Sequence, residues 1–534
     1  MYVAGILALA LVVRLVGLDF GLPNSHHVYP YNPDEWTPFL HFKRMQPERL
    51  DFNPHSFINP TSFYYLLAAG FVAAEKVGWV RISREERFHF EHPEYLHRMI
   101  LLGRLFAVAF GVATVWLLYR LARHMGLDRG GSRLAALLLA IHPSHVAHSH
   151  FMTVNTAVTF WIVAAFLALE RWLRRGDLAS RVMLGIATGI ALSTKYTAIL
   201  LVPVIVLGAL IRARIRRKPA ARDDGRRSSP VRAVWEGGMV LAVALLAFVA
   251  GTPYALLAFP EFKADLLGQF GGLYMPGATV EPWSQILGRA LPRILEIHLF
   301  ASTPLLLAAA VAGAVLVLLQ RSAPYALVLA FLAGFFVMSL RAGGLATDGR
   351  FLPVFPLIAL LAAVALTALA SRHPRVSRLA IAVVVVVQLG WTFVLLGRYV
   401  GRMPQEEASQ WAQTHVRPGE RVLLAGSAVN WNPDLPLREY LHSRNAHNYE
   451  RVTDWVFVAP DSFTLPYREA RALDPDVVFL TEWLPFAPVS MEWLEDPDYQ
   501  VVATFPGKVH VLGRRVHVRL DLYDVDTWVL RPRP

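Results

Sequence analysis

The sequence predicts an all-α polytopic membrane protein with a small C-terminal α/β domain. Three observations carry that expectation. The 534 residues are 55% hydrophobic and 17% charged, where soluble domains carry roughly 25% charged residues. Apolar runs approaching membrane-spanning length recur through the first 400 residues. Beyond residue 400 the pattern turns to short β-branched runs alternating with helical segments.

Candidate spans fall at about 1–18, 98–119, 133–142, 156–173, 181–194, 197–211, 233–252, 299–319, 324–341, 351–370 and 379–398. The first run, MYVAGILALALVVRLVGL, lacks a basic n-region and a small-residue cleavage site, so a retained span is expected. The run SFYYLLAAGFVAAEKVGWV at 62–80 decides the parity of everything after it. If it does not cross, loops 119–133, 170–181, 211–232, 320–323 and 371–378 share one side and hold twenty-one Lys and Arg. The opposing loops 142–155, 193–196 and 341–350 hold three. Basic loops stay cytoplasmic. The expectation is therefore about eleven spans, the N-terminus inside, and 62–80 with RISREERFHFEHPEYLHR laid along the outer interface.

Net charge is +12, but the arginines sit in short clusters between spans, so no nucleic-acid partner is expected. The stretch RARIRRKPAARDDGRRSSPVR reads as a solvated cytoplasmic loop. With no cysteine, disulfide frameworks and thiol chemistry are excluded. The expected domains are 1–400 in the membrane and 401–534 outside it. In the latter, RVLLA, WVFVA, DVVFLT and YQVVATF read as strands, QEEASQWAQTH and LPYREARAL as helices, and no cofactor fingerprint or nucleophile elbow appears.

This sidedness opens four polar segments on the outer face. YPYNPDEWTPF holds adjacent acids Asp34 and Glu35 after an Asn-Pro turn. They suit either capping of the helix starting at Trp36 or acid–base chemistry. IHPSHVAHSHFMTVNT holds His142, His145, His148 and His150, ending near Asn155. Imidazoles so spaced can bind metal or move protons, but no carboxylate or Cys set completes a ligand shell, so no metal and no cofactor is expected. In GIATGIALSTKYTAIL, Lys195 and Tyr196 lie at a hairpin apex, where Lys195 either snorkels to the interface or meets a phosphate. In TDGRFLPVFP, Arg350 either pairs with Asp348 or aims its fork at a lipid-linked phosphate. Acid, Lys and Arg together suit glycosyl transfer from a lipid phosphate, the carboxylate taking a proton and the cations offsetting charge on the departing group.

RLVGLDFGLPNSHHVYPYNPDE, HPSHVAHSHFMTVNTAVTFW, GIATGIALSTKYTAIL, GTPYALLAF and GRFLPVFPLIALLAA follow one another as in GT-C fold glycosyltransferases. The chain most resembles the bacterial family-39 type, related to protein O-mannosyltransferases and the aminoarabinose transferase of lipid A, over about residues 1–400. The resemblance implies inverting transfer of a monosaccharide from a polyprenyl-phosphate donor to an acceptor hydroxyl at the outer face of a bacterial cytoplasmic membrane. It implies Asp34 as base with Glu35 beside it, and Lys195, Tyr196 and Arg350 on the donor phosphate. Where the family's second outer loop often ends in Asp this chain has Asn155, following His148 and His150. A transporter of lipid-linked solutes is the alternative. It would call for polar residues on both membrane sides or an internal duplication, and neither is present.

Overall fold

The computed structural model describes residues 2–24, 30–217, 230–270, 283–341, 348–417, 419–425, 441–442, 449–450, 456–458, 467–481, 492–507, 510–511, 514–515 and 526–533. Most of the basic stretch 212–232, parts of segments 253–298 and 341–350, and much of 401–534 lie outside the described residues.

Each expected apolar stretch falls on a helix. Among the described residues seven helices are long and apolar enough to cross a membrane: Pro93–His124, Val154–Arg175, Tyr196–Arg214, Val231–Gly251, Ala323–Leu340, Asp348–Arg372 and Pro374–Gly397. The expected span 299–319 is instead broken between Ser302 and Pro304, where two helices meet at 105°. The helices Val3–Leu15, Arg129–Ala140 and Leu178–Thr194 are shorter. The sequence count of about eleven includes these shorter pieces. Residues 62–76 form a helix of their own, and the helix expected from 98 begins at Pro93.

Local chemistry sets the boundaries. The RRGDLAS turn ends one helix and starts the next. Gly176 takes φ +66°, a left-handed conformation that glycine enters without strain, and Asp177 then accepts the Ser180 N–H at 2.7 Å as an N-cap. Asp128 caps Arg129–Ala140 the same way through Gly131 N–H.

The chain divides into two compact units: Met1–Leu15 with His41–Ala68 and Phe106–Thr392, and Val16–Leu40 with Ala69–Leu105 and Phe393–Pro534. In the first, the helix Phe355–Arg372 is central, buried at every residue from Phe355 to Leu366. That burial explains its apolar character on all sides. Small residues let its neighbours approach. A Cβ at Gly313 would lie 1.9 Å from the Leu361 carbonyl oxygen. Gly185 and Gly189, four apart on one face, pack against Pro230–Gly251. A Cβ at Gly189 would stand 2.2 Å from the Ala244 carbonyl oxygen.

In the second unit the expected strands appear. A five-stranded sheet runs in the order Val456–Val458, Arg421–Ala425, Val477–Thr481, Thr527–Pro532, Tyr499–Phe505. The first three are mutually parallel and the last two join antiparallel. The helix Pro404–His415 covers one face through Ala408 and Ala412 on Val422, Phe479 and Val529. Arg531 fixes its end, donating to the Glu420 carboxylate and the His415 carbonyl. The first loop belongs to this unit. Gly17 at φ +71° lies against the Tyr399 backbone, and a Cβ at Gly21 would sit 2.2 Å from the Tyr31 ring, so both glycines of LVGLDFGLP are needed for close approach.

Replacing Gly189 by Leu drives a side chain into backbone. Overpacking of this kind costs about 1–3 kcal/mol or more, and Gly189→Leu is expected to lower the thermal midpoint of the detergent-solubilised protein. Gly268→Leu, at a glycine with open space where a Cβ would stand, should leave the midpoint within a degree or two.

Candidate active site

The STKYT apex is built at a helix break. Lys195 adopts an extended backbone (φ −156°, ψ 134°) between Leu178–Thr194 and a 3₁₀ turn from Tyr196. A break inside an apolar bundle strands backbone groups that water cannot reach, and here hydroxyls serve them. Ser62 donates to the Ser193 carbonyl at 2.7 Å, Thr61 to the Gly251 carbonyl at 2.8 Å, and Ser193 and Thr252 hydroxyls join at 2.7 Å. So fixed, Lys195 reaches Asn155, its Nζ donating to Oδ1 at 2.7 Å. Tyr196 donates its hydroxyl to the Phe57 carbonyl at 2.9 Å and packs its ring on the cluster of Phe57, Ala255 and Phe262. The structure thus gives Tyr196 the work of holding segment 57–62.

The second loop forms a helical turn Pro143–Ala147 and a 3₁₀ turn His148–His150. Its four histidines have different partners. His142 accepts the His145 N–H as an N-cap and bonds Ser302 Oγ through Nε2 at 3.0 Å. His145 accepts from buried Arg14 at 2.9 Å. His150 is buried and donates to the Val146 carbonyl. His148 faces the Arg350 segment: its Nε2 meets Asp348 Oδ1 at 2.9 Å, while Ser144 donates to Asp348 Oδ2 at 2.7 Å. Among the described residues no group of three or more His, Cys, Asp or Glu is arranged to hold a metal ion.

Asp348 anchors the 3₁₀ segment Asp348–Val354 to this loop, and Gly349 lets it lie flat. A Cβ there would stand 2.7 Å from the His148 ring and 3.1 Å from Asn155 Nδ2. Arg350 follows on the exposed side. His148 and Asn155, Lys195, and the Gly349–Arg350 step therefore assemble from three separate segments of one unit.

The acid pair separates into two environments. Asn32 Oδ1 accepts the Asp34 N–H at 3.0 Å, and the Asn32 carbonyl accepts the Glu35 N–H at 3.0 Å. This tight turn points the two side chains apart. Asp34 is exposed. Glu35 is fully buried and held by both arms of Arg104, at 2.9 and 2.8 Å. Arg104 also donates to the carbonyls of Leu18 and Phe20, and its guanidinium lies over the Phe20 ring. Glu35, expected as a second catalytic acid, has its carboxylate taken up in shaping the loop that carries Asp34. Sequence reasoning missed Arg104, Arg14 and Ser144. The first two had a signal, since an arginine inside an apolar run calls for a partner.

A family model for dolichyl-phosphate-mannose-protein mannosyltransferases matches residues 85–264. The undecaprenyl phosphate-alpha-4-amino-4-deoxy-L-arabinose arabinosyl transferase of Pseudomonas aeruginosa (strain UCBPP-PA14) is 32% identical over 133 residues, 22% of this chain and 24% of the relative. The chain thus spans about a quarter of the length of that curated relative. Among solved structures, ArnT from Cupriavidus metallidurans in the apo state aligns over 82% of this chain and 84% of its own, with TM-score 0.51 and 16% identity. The Archaeoglobus fulgidus oligosaccharyltransferase aligns over 78% of this chain and 59% of its own, with TM-score 0.47 and 14% identity. The likeness to ArnT shows the fold: this is a multi-pass membrane protein of the GT-C type with a small sheet near its C-terminus.

Removing one partner of a buried ion pair costs about 3–5 kcal/mol, because the other charge is left uncompensated. Glu35→Ala should therefore lower the thermal midpoint strongly, whereas Asp34→Ala should not. Equal midpoints for the two variants would contradict the division of labour described.

Proposed function

We propose that the chain is a membrane glycosyltransferase that moves a monosaccharide from a polyprenyl-phosphate donor to an acceptor hydroxyl, with inversion. The sequence similarity to a mannosyltransferase family and to an arabinosyl transferase supports the reaction class. The observation that carries the site is Lys195, held at 2.7 Å by neutral Asn155 beside the Gly349–Arg350 step. An amide partner holds the lysine without placing a further negative charge beside it. A charged lysine and an exposed arginine on one segment cluster suit a phosphate better than a neutral ligand.

In this reading Asp34 accepts the proton of the acceptor hydroxyl as its oxygen attacks the anomeric carbon. The bond from that carbon to the phosphate oxygen breaks, and prenyl phosphate leaves with the electron pair. Lys195 and Arg350 offset the charge that gathers on it. His148 keeps Asp348 in place, and Asp348 sets the segment that presents Arg350. The active site and residues 401–534, read as a separate domain, are proposed to face outward from a bacterial cytoplasmic membrane, with the helix Ser62–Lys76 along its surface.

The test is a purified-enzyme assay with labelled polyprenyl-phosphate sugars and a membrane extract. General-base removal typically lowers rates about 10²–10⁴-fold, so Asp34→Asn should abolish transfer at that scale with an unchanged melting curve. Lys195→Gln should raise the apparent KM for donor. Full activity in Asp34→Asn would remove Asp34 from the mechanism. Transbilayer movement of donor without sugar transfer would replace the enzyme reading with a transporter.

A further inference from the structure

The break between Trp283–Ser302 and Pro304–Leu319 is not used by the transfer mechanism above. Thr303 alone connects two helices that meet at 105°, with φ +63°. It stands at the N-cap of a 16-residue helix, yet its side chain makes no capping bond. Thr303 is 3% exposed and its Oγ1 has no hydrogen-bond partner. Threonine is a preferred N-cap because that oxygen ordinarily accepts from the first turn, so here the hydroxyl is withheld from its usual job.

The neighbouring groups are donors as well. His142 Nδ1 accepts the His145 N–H, so the ring proton is on Nε2 and is donated to Ser302 Oγ. Ser302 thus spends a lone pair on His142 and keeps its own hydroxyl hydrogen for another acceptor. Ser302 is fully buried. Nδ1 of His298, one turn earlier, is buried without a partner, and its ring lies against Phe351 and Phe355, which follow Arg350. Pro304 has no N–H and the Leu307 N–H donates to the Thr303 carbonyl at 3.2 Å, which leaves the amides of Leu305 and Leu306 at the positive end of the helix dipole. The carboxylate bound to the His142–His150 loop, Asp348, has its two oxygens engaged by His148 and Ser144, while Arg14 contributes positive charge at His145.

Two buried hydroxyl donors at the N-terminus of a broken membrane helix make an acceptor-hungry, positively polarised mouth. Half-helix N-termini at such breaks are where membrane proteins hold anionic groups. We propose that the start of Pro304–Leu319 is an oxyanion seat for a phosphate-class group, formed by Ser302, Thr303 and the Leu305 and Leu306 amides and separate from the Lys195 cluster. The chemistry fits a phosphate ester on a lipid or a free phosphate alike. The inference stands whether or not Asp34 is the base of the proposed transfer.

The experiment uses the full chain in zwitterionic nanodiscs, titrated with inorganic phosphate and, separately, doped with phosphatidic acid. Binding is followed by ³¹P NMR and retention by native mass spectrometry. All measurements are repeated in a Lys195→Gln/Arg350→Gln background, so that failure of the donor-phosphate reading and failure of this one separate. Phosphate binding should persist in that background. Thr303→Val should weaken it about tenfold, the scale of one hydrogen bond to a charged group, and Thr303→Ser should restore it. Because the hydroxyl is unpartnered, Thr303→Val should not lower the melting temperature. Binding of phosphatidic acid alone would assign the seat to a lipid headgroup, and binding of both to the phosphate group itself. Absence of binding by the wild type, its loss in the double-variant background, or indifference to Thr303→Val would each overturn the proposal.

Discussion

Helix ends buried in an apolar bundle leave carbonyls that no water can reach, and this constraint organises the molecule. Short helices and breaks are needed to bring polar segments together, and each one strands backbone acceptors. Three buried arginines meet the need. Arg14 donates to the carbonyls of Ala10, Leu139 and Ala140. Arg212 donates to those of Trp172 and Leu173, and Arg104 to those of Leu18 and Phe20. Five donors on a rigid plane allow one guanidinium to serve a chain end and a side chain at once. Lysine could not do this with the same geometry, and the buried Arg212–Glu236 and Arg104–Glu35 pairs add charge compensation at the same points.

The same constraint explains why adjacent acids take unlike roles. A carboxylate buried without a partner is prohibitively costly, so Glu35 exists inside only because Arg104 grips both its oxygens. That grip reaches through Arg104 to Leu18 and Phe20, making the first loop a rigid support. Asp34, one residue on the other side of a tight turn, stays in solvent and is unencumbered by an arginine. The base proposed at Asp34 would benefit from that freedom of its lone pairs, provided the backbone beneath it does not move.

The fold was largely legible. The apolar runs and the strands of 401–534 follow from periodicity, which acts locally. The break at Thr303 was not legible, because the apolar pattern passes through it without a change of period. Its neighbour Pro304 is as compatible with the first turn of a continuing helix as with a new one. At the site, position on the chain marked Lys195, Asn155 and His148, but pairing could not be read. Asn155 and Lys195 are 40 residues apart, and His148 and Asp348 are 200 apart. Four histidines at similar spacing looked alike in sequence. They differ in what lies opposite them, which only the packing of distant segments decides.

Asn155 illustrates how one atom changes a site. An aspartate there would place a carboxylate 2.7 Å from Lys195 Nζ in a half-buried setting, neutralising the ammonium toward any third group. The amide accepts the lysine's hydrogen bond without bringing a carboxylate of its own. Gly349 acts alongside, since the 3.1 Å left for a Cβ beside Asn155 Nδ2 admits backbone and little else. Orientation by an amide is compatible with the phosphate contact proposed for Lys195.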